Sequence, residues 1–204
     1  MSAPRHRVIL QARTTSTRLP GKVLLPVCGL PIVVLAARRA ARDGVETIVA
    51  TSTHGSDDAL AKILDRHHVR CIRGPLDDVL ARFIAATADL EDHDICVRLT
   101  SDNVFPDGDF VRRLIEAAER SAHGYAGFSG GAEDLPYGLS GEALRVGLLR
   151  QADRATRDAQ DREHVTPWVI RHCARHAPAL PRVDALDLSN LRCTIDTLED
   201  YRAV

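Results

Sequence analysis

Lysine is almost missing from this chain: of 27 basic residues only Lys22 and Lys62 are lysine, and the other 25 are arginine. A lysine in a loop of suitable chemistry therefore stands out. Aromatic residues make up only 4%, and the formal net charge is −1. So few rings leave nothing for a base-stacking platform, and so even a charge balance excludes broad attraction to nucleic acid; any anion site must be local. No apolar stretch nears the roughly 18 residues that a membrane-crossing helix needs. Near Met1 there is no ordered basic, apolar and small-residue cleavage pattern, so a secretion signal is not expected and the cytoplasm is. The five cysteines are odd in number, and Cys71, Cys96 and Cys193 fall in short apolar runs, which reads as buried thiols. His172, Cys173 and His176 are the nearest thing to a metal cluster, but no C-x-x-C completes a zinc site. Neither a G-x-G-x-x-G fingerprint nor a P-loop is present, which removes the main support for dinucleotide and P-loop binding.

What is present is alternation. Apolar runs at residues 7–12, 47–51, 69–73 and 95–99 read as strands, and residues 31–42, 57–68 and 77–90 read as helices between them. Short apolar strands separated by amphipathic helices predict an α/β fold, a doubly wound and mainly parallel sheet with right-handed crossovers. Asp57, Asp77 and Asp109 stand where a carboxylate caps a helix. After Ser121 the rhythm changes to a Gly-rich stretch, 124–141, with a strand expected at 125–129. Helical segments are expected at 142–158 and 162–176, a strand at 191–197, and a capping pair in Thr197 and Asp200. The expectation is one domain over residues 1–204, with a small acceptor-side insertion contributed by residues 121–190. The abrupt stop at Val204 suggests the first part of a longer protein.

The loop that leaves the first strand, from Gln11 to Lys22, holds three cations and four hydroxyls at the carboxyl end of the sheet, where open α/β folds bind ligands. Its amides with Arg13, Arg18 and Lys22 can cradle a triphosphate and offset charge on departing pyrophosphate; the alternative is a solvated turn. Asp102 and Asp196 each follow a strand, and a pair of carboxylates at one sheet edge, with phosphate oxygens and water, is what magnesium prefers. Each is equally readable as a turn or cap residue. Asp107-Gly108-Asp109 has the D-x-D spacing of nucleotide-sugar glycosyltransferases, but it opens a helix, where capping is simpler.

The segments QARTTSTRLPGKVL at 11–24, IVATST at 48–53, RGPLDDVLAR at 73–82, VRLTSDN at 97–103, REHVTP at 162–167 and LRCTIDTLEDY at 191–201 occur in order over nearly the whole chain. Together they resemble the spore-coat-polysaccharide cytidylyltransferase-like family, relatives of the CMP-KDO synthetases and the nucleotide-diphospho-sugar transferases with their Rossmann-like fold. The resemblance implies that Ala12, Arg13, Ser16, Arg18 and Lys22 form the triphosphate loop, with Arg13, Arg18 and Lys22 catalytic. It implies that Ala50, Thr51, Ser52, Arg73 and Gly74 meet the nucleoside, that Asp78 and Arg82 line the cleft, and that Asp102 and Asp196 hold Mg2+. His164, Arg162 and Glu163 either hold a helix or touch the acceptor. The implied activity is transfer of CMP from CTP to a small anionic, sugar-like or phosphorylated acceptor, in a protein that pairs as a homodimer. Two departures stand out: Thr100-Ser101-Asp102-Asn103-Val104 replaces T-G-D-C-P and keeps the metal aspartate, whereas Gly138-Leu139-Ser140-Gly141-Glu142 replaces G-L-D-V-E and loses a carboxylate. The rival readings are a glycosyltransferase and a catalytically degenerate nucleotide-binding or interaction domain.

Overall fold

The computed structural model describes residues 5–41, 45–129, 136–172 and 190–204. Its first strand, β1 (His6–Gln11), buries Val8, Ile9 and Leu10 completely or nearly so, because both of its faces are covered. A small antiparallel hairpin follows, β2 (Pro26–Val27) with β3 (Leu30–Pro31). The main sheet adds β4 (Glu46–Ser52), β5 (Cys71–Gly74), β6 (Ile95–Thr100), β7 (Tyr125–Ser129) and β8 (Ser140–Arg145), in the order β5-β4-β1-β6-β8-β7. β1 pairs in parallel with β4 and β6, and β4 with β5, whereas β8 runs antiparallel to both of its neighbours.

The period-two alternation of each strand feeds two cores. Val8 and Leu10 of β1 and Val97 and Leu99 of β6 face α1 (Ile32–Ala40), α2 (Asp58–Arg66) and α4 (Gly108–Arg120) through Val33, Ala37, Leu60, Leu64, Val111 and Leu114. Ile9 and Cys96 face the other way, onto Leu80 and Phe83 of α3 (Val79–Ala86), Leu149 of α5 (Val146–Ala155) and Val169 of α7 (Pro167–His172). Each fully buried aliphatic contributes about 1.5–3 kcal/mol, so neither layer is dispensable. This is the predicted doubly wound, mostly parallel sheet. Burial pushes the Cys96 thiol up to about 12, in keeping with an inert core residue. Cys193 is also buried, Cys71 is half-buried, and Cys173 and His176 lie outside the described residues. Among the described residues no helix is long and apolar enough to cross a membrane.

Several local expectations fail for identifiable reasons. Residues 142–145, expected to be helical, are the end of β8, and α5 begins only at Val146. Ala143 and Leu144 point into opposite cores between β6 and β7, so sheet burial overrides the helical preference of Glu, Ala and Leu. The helix expected over 162–176 is divided into α6 (Ala159–His164) and α7, with Val165 at φ 71 between them. Pro167 accounts for the break, since it disfavours helical backbone at Thr166 and cannot donate. Residues 191–197 form no strand of the main sheet and pair only through isolated bridges to the loops beside it, Tyr137↔Arg192 and Asn103↔Thr194, among the described residues. Asp78 caps α3 where Asp77 was expected, and Asp107 caps α4 where Asp109 was. The Thr197–Asp200 capping box opens α8 (Leu198–Ala203) as expected.

Candidate active site

Strand order reverses at β1, which leaves a crevice at the carboxyl edge between β1 and β6. The loop leaving β1 is pinned before it reaches that crevice. The Thr14 amide donates to Asp57 Oδ1 at 2.8 Å, and its hydroxyl to the same oxygen at 2.7 Å. Ser52 Oγ donates to the other oxygen of Asp57, a residue with no solvent exposure. The loop closes when Gly21 donates to Thr14 O at 2.8 Å. Gly21 sits at φ 71, a left-handed conformation that suits glycine, and turns the chain into a short 3-10 segment at Lys22–Leu24. That turn drives Lys22 inward until only 8% of it is exposed.

The buried ammonium meets both acidic residues singled out from the sequence. Lys22 Nζ donates to Asp102 Oδ2 at 2.7 Å and to Asp196 Oδ1 at 2.9 Å. Asp102 follows β6, and its carbonyl accepts from Ile195 N at 2.9 Å, which holds Asp196 beside it. Arg18 reaches Asp196 Oδ1 at 2.9 Å and Arg192 reaches Oδ2 at 3.0 Å. Burial alone would push the Asp196 carboxyl up, but the Lys22 hydrogen bond and charge, with Arg18 and Arg192, more than reverse this and hold it below the usual carboxylate range. The cleft in front has a volume of about 370 Å³ and is lined by Arg13, Ser16, Arg18, Lys22, Arg82, Thr100, Asp102, His164 and Asp196 among others. Arg13 touches Glu163 at 3.3 Å, an exposed contact of little energetic weight.

Arg82 is the anomaly in this wall. It is 2% exposed, and its Nη1 donates to the carbonyls of Pro75 and Leu76 at 2.7 and 2.9 Å while Nε has no partner. Burial lowers its pKa, and among the described residues no carboxylate pairs with it in an ion contact. Arg82 thus contributes to the cleft wall a guanidinium whose Nε is buried and unpartnered, an arrangement that native proteins seldom leave unexplained.

Seven of the expected binding residues do not line the cleft. Ala12, Ala50, Thr51 and Ser52 are buried, and the Ser52 hydroxyl is committed to Asp57. Arg73 turns to Ser52 O and Asp58 at 2.8 and 2.6 Å, and Gly74 O accepts from Thr53 N. Asp78 caps α3 and is gripped by Arg162, at 2.6 Å from Nη2, over a separate hollow. The D-x-D reading of Asp107-Gly108-Asp109 also lacks a cleft: Asp107 caps Phe110 N, and Asp109 lies exposed beside Arg112. Sequence reasoning missed Arg192, whose only signal is its four-residue spacing from Asp196, and the anchoring task of Asp57.

The cytidylyltransferase family model matches residues 7–202. The chain belongs to the cytidylyltransferase family. It is a CTP-dependent nucleotidyltransferase. Its sequence is 34% identical over 209 residues to the spore coat polysaccharide biosynthesis protein SpsF of Bacillus subtilis (strain 168), covering 96% of this chain and 83% of that protein. Among solved structures, a cytidylyltransferase from Leptospira borgpetersenii superposes with a TM-score of 0.81 at 26% identity, over 98% of this chain and 84% of the other. A CMP-KDO synthetase complexed with CTP shares the fold at a TM-score of 0.67 and 19% identity, over 98% and 97% of the two chains. For this cytidylyltransferase the resemblance read from the sequence motifs therefore holds at the level of family and fold.

Proposed function

We propose that this cytidylyltransferase moves CMP from CTP onto a small anionic, sugar-like or phosphorylated acceptor, releases pyrophosphate, and serves polysaccharide or glycoconjugate precursor synthesis. The observation that carries the reading is the single ammonium of Lys22 held by Asp102 and Asp196 at the mouth of a cationic loop. Two carboxylates that converge on one cation have the hard-oxygen chemistry that magnesium takes when phosphate oxygens and water complete its shell. Among the described residues no group of three or more His, Cys, Asp or Glu could hold a metal by itself, which suits an ion that arrives with the nucleotide. Asp102 and Asp196 would hold such an ion, and it would supply positive charge against the phosphates of CTP.

The chain's own residues do the positioning. Arg13, Ser16, Arg18 and Lys22 receive the β- and γ-phosphates, and Arg82 receives a nucleotide oxygen at the cleft wall. An acceptor oxygen attacks the α-phosphorus, a hydroxyl giving up its proton to solvent and a carboxylate or phosphate oxygen having none to lose, the bond from that phosphorus to the bridging oxygen breaks, and its electron pair leaves with pyrophosphate toward the loop cations. No protein nucleophile is needed, because alignment and charge stabilisation supply the rate. The polysaccharide assignment rests on the spore coat relative from Bacillus subtilis, and base choice rests on family membership.

Titration calorimetry with CTP, UTP, ATP and GTP, each with and without magnesium, tests the reading without an acceptor. CTP should bind selectively and more weakly without magnesium or in Asp102→Asn. Arg82→Met should weaken CTP binding by about tenfold or more, the usual consequence of deleting a charged hydrogen bond. Equal binding of all four triphosphates, or none, would sink the proposal.

A further inference from the structure

The antiparallel ladder between β6 and β8 ends at Arg98↔Glu142, although β6 runs on to Thr100 and β8 begins at Ser140. Beyond that pair the two strands part, and a cavity of about 230 Å³ opens between them, walled by Arg98, Thr100, Phe128, Ser140 and Glu142. Thr100 also lines the main cleft, and Thr100 and Ser140 share a third hollow with Asp102 and Asp196. The slot thus adjoins, through Thr100 and Ser140, the hollow that holds the two carboxylates and Arg18.

Its charges are not equally engaged. Glu142 Oε1 accepts from the Tyr125 hydroxyl at 2.6 Å, and Oε2 accepts from Arg98 Nη1 at 2.6 Å and Thr166 Oγ1 at 2.9 Å. With three donors on it, this carboxylate has little capacity left for a ligand. Arg98 uses Nε on Gln11 Oε1 at 3.1 Å and Nη1 on Glu142, which leaves the two N–H groups of Nη2. Its side chain is 16% exposed and lines the slot. The Ser140 hydroxyl is oriented by a long 3.4 Å contact to Gly138 O, which leaves its lone pairs and adds no charge. Among the described residues, a ligand entering the slot therefore meets free donors and no free carboxylate.

We infer that the slot between β6 and β8 seats an oxyanion of the acceptor, a carboxylate or phosphoryl group, on the Nη2 edge of Arg98, and that the uncharged Ser140 is what admits it. The inference rests on the CMP-transfer reading. Ser140 stands where the G-L-D-V-E pattern has aspartate, and a carboxylate at that position would compete for Arg98 and repel a second anion across a partly buried slot.

The test uses wild type, Ser140→Asp and Ser140→Ala, each saturated with magnesium and CTP so that the nucleotide loop is occupied. Inorganic phosphate, acetate and the neutral control glycerol are titrated in separately. Wild type and Ser140→Ala should bind phosphate or acetate saturably, the better of the two identifying the acceptor's group, and Ser140→Asp should bind it about tenfold more weakly or worse. Binding of neither anion by wild type, or an affinity that Ser140→Asp leaves unchanged, overturns the inference. The preceding CTP titration reports the other reading separately. If CTP does not bind, CMP transfer fails as the reading and the inference falls with it; if CTP binds and neither anion does, the inference alone fails.

Discussion

Alanine in place of Lys22 is expected to lower CMP transfer by about 10²–10³-fold, the loss typical when one preorganised charge-stabilising donor is removed. Lys22 contacts both Asp102 and Asp196, and Gly21 holds its backbone in the turn that aims it inward. Arginine should not restore the rate, because a planar fork cannot occupy a point lying 2.7 and 2.9 Å from two separate carboxylates. Folding should survive the change. Asp196 keeps Arg18 and Arg192, and the Asp102 side chain, 26% exposed, can rehydrate. The same variant should move the Asp196 carboxyl back up toward the ordinary range, since its largest lowering influence is gone. Pyrophosphate release and a thermal melt on the same sample separate the outcomes; unchanged release would remove the loop from the chemistry.

Replacing Asp57 by alanine should cost about 3 kcal/mol of stability and raise the KM for CTP, since it strands the Thr14 amide and the Ser52 hydroxyl at once and leaves the Thr14 hydroxyl only Ser56 O. Urea unfolding should show a lower midpoint at unchanged slope. The pH dependence has a definite sign. Burial alone would raise the Asp57 carboxyl, but the Ser52 and Thr14 hydrogen bonds outweigh it and leave its pKa below the ordinary 3.8. Its stabilisation is thus complete above that value and fades as pH falls through the lower folded value. Wild type should lose stability in that acid window relative to pH 7, and Asp57→Ala should lose less there. A midpoint identical to wild type at pH 7 would show that Asp57 does not anchor the loop.

The layered sheet was legible because β1, β4, β5 and β6 are short apolar runs buried on both faces, a pattern that local sequence carries. Lys22 and Asp102 were legible for a related reason: both stand in loops that leave strands of the parallel part of the sheet, and carboxyl ends of such strands converge; Asp196 was expected at the end of a strand and reaches the site from a strand-free segment instead. β8 was not, because Glu142, Ala143 and Leu144 favour helix locally and become strand only through β6 and β7. The commitments of Ser52, Arg73 and Asp78, each turned to a partner away from the cleft, were equally hidden. Asp78 is held by Arg162 across 84 positions, and no spacing rule reports a contact of that range. Asp57 was read as a cap, since an aspartate ahead of a helix looks the same whether it binds its own helix or a loop 43 residues earlier.

Lys22 and Asp196 lie 174 residues apart, and Asp196 is held beside Asp102 by a single strand-free segment. During synthesis the ribosome therefore delivers the cation and its first carboxylate long before the second. A nascent chain that has emerged only as far as β8 can already stack most of its sheet, yet it presents Lys22 with half of its counter-charge. Such a chain would hold CTP, at best, without the second carboxylate, so under the proposed reaction nucleotide turnover waits until the segment that carries Asp196 has docked.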